Sequence, residues 1–243
     1  MQIIGYRNLL LGATVAASST DPVAPVDNLS DGLLFDFWQA GSVGLATIDI
    51  DCGAPQAADY IGIAVHNLTL YGLQSSDDGV VYSDVLADVA VDHTSALIAT
   101  FASVTARYWR VRVDSAGNRP MIAMLNLGRR LEIESPAAGF KSPLLNKKYD
   151  RKVSTNASAI PVGMLATTRP TPLSIQGRSL DDVGWRAEQA ELEETALNAP
   201  FFYAWGAGLN DAVVGWLAGN KPIDVSYTAP GRVNAKIKCD VLV

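Results

Sequence analysis

The sequence predicts an all-β-dominated protein built as two modules, the second carrying a single α-helix. Three observations lead there. Runs of period-two alternation separated by Asp, Asn and Gly fill the first half. The charge composition changes abruptly near residue 130, and only one segment, about 181–198, has helical character. A chain of 243 residues is long enough for two domains with substantial cores.

The composition break places the module boundary. The first lysine is Lys141 and the first glutamate Glu132, so the chain before them draws its charge from Asp and Arg alone. Residues 1–128 hold 13 Asp against 5 Arg, net −8, whereas residues 129–243 are net +2, together giving the formal −6 of the chain. The expected modules are therefore 1–128 and 129–243. The excess of acid argues against a nucleic-acid binder as a whole, because affinity for phosphates needs clustered Lys and Arg to displace counterions, and the one basic concentration, Arg129, Arg130, Lys141, Lys147, Lys148, Arg151 and Lys152, lies where the modules join.

The apolar run Asn8–Ala17 has the outline of a secretory leader, but Asn8, Gly12 and Thr14 interrupt it, and it is expected to be part of the fold. No stretch approaches the ~20 apolar residues of a spanning helix, so no membrane insertion is expected. Thr47–Cys52 alternates as a half-buried strand does, and Tyr60–Val65 is a continuous apolar run. Turns are expected at Asp27–Gly32, Ser75–Gly79 and Asp114–Asn118. Arg107–Val113 alternates again, with Tyr108, Arg110 and Arg112 on one face and Trp109, Val111 and Val113 facing the core. No helical period competes, so an antiparallel sandwich is the economical solution.

Asn28-Leu-Ser-Asp-Gly32, Trp38, Ile48-Asp-Ile50, Asp59-Tyr-Ile-Gly-Ile63, His66-Asn67-Leu68, Ser76-Asp-Asp-Gly79 and Ala106-Arg-Tyr-Trp-Arg110 occur in the order seen in discoidin, or coagulation-factor type C, domains. Residues 8–128 thus resemble that galactose-binding-like family. The resemblance implies an eight-stranded jelly roll whose loops at one end often hold sugars or lipid headgroups.

In the second module, residues 151–160, 223–227 and 232–243 read as strands. Asp181 and Asp182 can cap a helix running to about Asn198, with Val183, Ala187, Ala190 and Leu197 as its inward side and Pro200 as its stop. Residues 134–150, with Pro136, Gly139, Pro143 and Asn146, are expected to form a long loop. Phe201, Phe202, Trp205 and Trp216 make the densest aromatic cluster, which suits either a core or a subunit interface. With Leu127-Gly-Arg-Arg-Leu131 and Lys152-Val-Ser-Thr155, this segment resembles bacteriophage tail and baseplate proteins of the distal-tail type. That likeness implies a tail-tube-like β-sandwich.

Raw material for catalysis is scarce. Cys52 and Cys239 are too far apart for a disulfide framework or zinc site, and His66 and His93 belong to no recognised catalytic motif. Asp77-Asp78 and Asp181-Asp182 are neighbours rather than an acid and base facing across a bond. The Asp27–Gly32 loop could offer oxygens to calcium but reads more simply as an Asx-rich turn. Three Asn-x-Ser/Thr sequons, at Asn28, Asn67 and Asn156, read as chance occurrences. Glu188, Glu191, Glu193 and Glu194 read as a solvated helix face.

No enzyme, metal or cofactor is expected. The resemblances imply a structural subunit of a virion tail or baseplate, made in the bacterial host cytoplasm, that associates with itself in a ring and with other tail proteins. Phe201, Phe202, Trp205 and Trp216 with Lys141, Lys147, Lys148 and Arg151 would form its subunit interface, and the jelly roll is available to cell-surface carbohydrate. The competing expectation is a monomeric carbohydrate-binding adhesin module.

Overall fold

The computed structural model describes residues 1–134, 136, 140–206, 211–219 and 222–242. In chain order the first strands are β1 (Gln2–Gly5), β2 (Thr14–Ala17), β3 (Trp38–Gln39), β4 (Ala46–His66), β5 (Leu70–Ser76), β6 (Ser83–Ala90), β7 (Leu97–Asp114), β8 (Met121–Gly128) and β9 (Leu131–Ile133). There follow β10 (Lys147–Thr155), β11 (Pro161–Pro170), β12 (Leu173–Asp181), helix α1 (Asp182–Ala196), β13 (Phe201–Trp205), β14 (Asp211–Leu217), β15 (Ile223–Ala229) and β16 (Arg232–Val241). The chain is all-β with one helix, as the alternation predicts.

The jelly roll is made by two long strands that each serve both layers. Residues 46–51 of β4 pair with β2 and with 108–113 of β7, which also pair with β5; β6 continues that layer. After an irregularity between Asp51 and Gln56, β4 pairs with 97–106 of β7 and with β8, which carries β3. Ile48, Ile50, Trp109 and Val111 from one layer meet Ile61, Ile63, Leu125 and Leu127 from the other in one core. Trp109 is fully buried, on the side its alternation predicts.

The second sheet runs β12-β16-β14-β13-β1-β9, with β15 also on β16. Its membership corrects the expected 1–128 boundary. β1, at the extreme N-terminus, lies between β13 and β9, antiparallel to both, so the jelly roll is an insertion between two adjacent strands of the second module. Buried Gln2 joins the two ends of this curled sheet: its Nε2 donates to Glu134 O (2.5 Å) and Gln176 O (3.1 Å), while Tyr203 Oη donates to its Oε1 (2.6 Å). The Gln2 amide thus has partners for both its nitrogen and its oxygen, as a buried polar side chain requires.

Helix α1 starts where Asp181 Oδ2 accepts from Gly184 N (2.8 Å). Its inward side differs from the expected one. Trp185, Leu192 and Ala196 are buried, whereas Val183, Ala187, Ala190 and Leu197 are exposed. Positions 185, 192 and 196 keep helical spacing, and the large Trp185 ring sets the rotation. Arg7 clamps the helix from the incoming jelly-roll segment, donating from Nε to Glu191 Oε1 (2.6 Å) and from Nη2 to Glu188 Oε2 (3.0 Å). That pairing holds the Glu191 carboxyl below its usual range.

The expected 134–150 loop is also corrected. Lys147 and Lys148 already lie in β10, which pairs only with β11, so the excursion is largely an antiparallel hairpin reaching residue 170. The expected 151–160 strand stops at Thr155 because Asn156 Oδ1 accepts from Ser158 N and Ile160 N (3.0 Å each), making the turn. Residues 135 and 137–139, Gly139 among them, lie outside the described residues.

The modules are fused by a third core. Outward residues Tyr60, Ala64, Ile98 and Met124 of the jelly roll pack against Ile3, Phe202, Ala204, Ala212 and Val214. Two glycines make the fit: a Cβ at Gly62 would stand 2.8 Å from the Phe202 ring, and one at Gly5 would collide with the Tyr60 ring.

Candidate functional site

The expected aromatic interface lies inside the protein. Phe201 and Trp205 point with Tyr203 into the second-module core, and Phe202 points into the inter-module core. All three are buried, which corrects their placement on a subunit surface. The physical reason is that β13 has neighbours on both edges and packing on both faces. Trp216, on β14, is half-buried. Lys141 is exposed ahead of the hairpin, and Lys147, Lys148 and Arg151 are exposed on β10, so the cationic candidates remain together while the aromatic ones do not accompany them.

The other motif residues serve local structure. Asn67 donates from Nδ2 to Arg119 O and accepts from Met121 N; Asn28 donates to Phe37 O. In the 27–32 loop, Asp31 accepts from Leu33 N. Asp78 Oδ1 accepts from Val80 N, Val81 N and Ser76 Oγ, which lowers its carboxyl pKa, through the two backbone donors most of all. Cys52 and Cys239 are free thiols, both raised by burial. Among the described residues no group of three or more His, Cys, Asp or Glu side chains comes together to hold a metal.

A cleft of about 640 Å³ opens between the last turn of β6 and the first residues of β7. That volume falls within the range of small-molecule sites. Val89, Val91, Leu97 and Ala99 give it apolar walls, and Tyr71, Asp92, His93 and Thr100 contribute polar groups. The placement follows from the sandwich: β6 ends one layer and residues 97–106 of β7 end the other, so the seam between them is uncovered. Tyr71 is only 5% exposed and its burial raises the phenol pKa. No described residue hydrogen-bonds the Tyr71 hydroxyl, the Asp92 carboxylate or the Thr100 hydroxyl.

The cleft is held from beneath by His66. Its Nδ1 accepts from Leu68 N (3.2 Å), so Nε2 carries the proton and donates to Ser95 O (3.2 Å). Ser95 Oγ in turn contacts His93 Nδ1 (2.8 Å), orienting the ring so that Nε2 has no described partner. Sequence reasoning set His93 aside and passed over Tyr71, Asp92 and Thr100, because no local spacing marks residues that meet only through the sandwich seam.

Burial lowers the His66 pKa. Because the folded value lies below the unfolded one, this histidine's contribution to stability is complete above about pH 6.5 and is lost as pH falls through the folded value. The unfolding midpoint of the wild type is expected to drop between neutral and mildly acidic pH more steeply than that of His66→Asn. Parallel profiles for the two proteins in a thermal melt series would refute this assignment.

No protein-family profile and no curated protein matches the chain. Among solved structures, it is similar to SpGH29, at 20% identity and TM-score 0.46, over 52% of this chain and 28% of that one. It is also similar to chitosan-binding module 1 of a Paenibacillus sp. chitosanase/glucanase, at 19% identity and TM-score 0.45, over 50% of this chain and 97% of the module. A family 32 carbohydrate-binding module of Clostridium perfringens NanJ, solved with galactose, aligns at 17% identity and TM-score 0.45, over 54% of this chain and 100% of the module.

Proposed function

We propose that this chain is a non-catalytic glycan-binding protein in which the inserted jelly roll takes a sugar in the Tyr71, Asp92, His93 and Thr100 cleft. The observation that carries this reading is the pairing of apolar walls with the Tyr71 hydroxyl, the Asp92 carboxylate, the Thr100 hydroxyl and His93 Nε2, none of which has a partner among the described residues, while His93 Nδ1 is held by Ser95. A sugar ring complements such a surface, with C–H faces for the aliphatic walls and hydroxyls that donate to the carboxylate and accept from phenol and imidazole. The second module is the carrier. Both ends of the insertion return to its adjacent strands β1 and β9, and Ile98, which lines the cleft, also packs in the core shared with the second module.

Titration calorimetry with galactose and with chitosan oligosaccharides tests this. Binding of one of them is expected, and Tyr71→Phe combined with Asp92→Ala is expected to weaken it at least tenfold, as loss of two hydrogen bonds, one to a charged group, entails. An affinity unchanged in that variant, or no binding of either glycan, would count against the reading.

A second reading, the assembly subunit of a phage tail or baseplate, is favoured by one observation. A hairpin of nine- and ten-residue strands pairs only with itself, and none of its described side chains belongs to a core among the described residues. A solitary two-stranded ribbon is marginal in water unless something packs on it. The two readings are compatible, since an assembled subunit can display a sugar-binding insertion.

A further inference from the structure

We infer that the β10–β11 hairpin of one molecule docks along the acidic edge strand β6 of a second copy of this chain. The inference rests on the assembly reading and goes further by naming both surfaces.

The hairpin has the character of a surface awaiting cover. All nine residues of β10 are exposed, among them Tyr149 at 75%, and Val162 and Leu165 of β11 are exposed by 65% and 60%. Lys147, Lys148, Arg151 and Lys152 stand against one acid, Asp150, on β10, and the four cations form no ion pair with any described residue. Cations spaced along one strand match a row of carboxylates.

Such a row exists on the jelly roll. Residues 75–106 contain Asp77, Asp78, Asp84, Asp88 and Asp92 and no Lys or Arg; of these Asp88 is already paired with Arg112 of β7, which leaves the others for a foreign cation. β6 lies at the centre of this stretch and pairs on one side only, with β5, leaving the backbone groups of its outer edge free to accept another strand. Asp77 and Asp92 flank β6, and neither has a described partner; Asp84 accepts only from Gln74 Nε2 (2.8 Å). Lengths agree as well: eight residues of β6 against nine of β10, each roughly 25–30 Å at strand rise. Exposed Val80 and Val81, just before β6, offer apolar contact for Tyr149 and Leu165. Hairpin and edge are different surfaces, so the contact is head-to-tail and propagates into a closed ring or a filament.

Light scattering on the full chain over a concentration series, at low and high sodium chloride, tests the docking. The wild type is expected to self-associate, with at least a tenfold weaker association at high salt. Lys148→Glu with Arg151→Glu and Lys152→Glu is expected to hold the protein monomeric, as is Asp77→Lys with Asp84→Lys; all these positions are exposed, and unchanged unfolding midpoints verify the folds. Carrying both sets in one chain is expected to restore association, because the charges are exchanged. A wild type that stays monomeric throughout overturns both this inference and the assembly reading. Association insensitive to the hairpin reversal, or not restored by the double exchange, overturns the docking alone and leaves the assembly reading standing.

Discussion

Replacing Phe202 with alanine is expected to destabilise the protein by about 4 kcal/mol, the cost of deleting a buried phenyl ring whose site cannot collapse. Collapse is barred here because the ring lies on the backbone of Gly62 and is surrounded by Ile3, Ala64 and Met124, which belong to two different sheets. Drawing these walls inward would move one module against the other. The deletion is therefore expected to alter cooperativity as well as stability. With the inter-module core emptied, the jelly roll and the second module lose their shared apolar contact, and a single urea transition is expected to broaden or divide. Intrinsic fluorescence, from Trp38 and Trp109 in one module and Trp185, Trp205 and Trp216 in the other, reads both halves. A sharp single transition displaced by less than about 1 kcal/mol would mean that the third core does not couple the modules, since even modest core truncations exceed that value.

Much of this was written in the sequence, though in a form that needs the fold to decode. Arg107–Val113 alternates because only one of its faces meets the sandwich core, and the alternation correctly aims Trp109 inward. Tyr60–Val65 and Phe201–Trp205 do not alternate, and this is the signal of the inter-module contact: a strand covered on both faces has no reason to place polar residues on either. Such runs announce double burial without naming the partner. The location of β1 was not legible, because four residues, Gln2–Gly5, carry too little pattern to show which sheet they join, and the composition break near residue 130 marks only the outgoing end of the insertion. The hairpin was hidden for a different reason. All nine residues of its first strand are exposed, so the usual apolar alternation that reveals a strand has no core to answer to there. The cleft was the least legible of all, since Tyr71 and Thr100 come together through the bend of β7 rather than through any spacing along the chain.

Gly128→Ala is the substitution where a single methyl group is expected to do the most harm, about 3 kcal/mol, at the upper end of the overpacking range. Gly128 ends β8 opposite Tyr60, at the point where the chain leaves the jelly roll. The incoming segment crosses there, and a Cβ would stand 2.5 Å from Arg7 O, a backbone atom that cannot rotate away. Relief requires moving Arg7, whose carbonyl accepts from the Tyr60 hydroxyl and whose guanidinium holds Glu188 and Glu191 of α1. One added methyl thus strains the crossing of incoming and outgoing chain, the Tyr60 anchor of the inter-module core and the clamp on the helix together. Gly12→Ala supplies the comparison. Nothing lies within 4 Å of its Cβ, so its urea midpoint is expected to stay within about 0.5 kcal/mol of wild type, as surface changes do. Equal midpoints for the two variants would show that the crossing relaxes freely, and with it would go the view that the jelly roll is fixed on its carrier at residues 7 and 128.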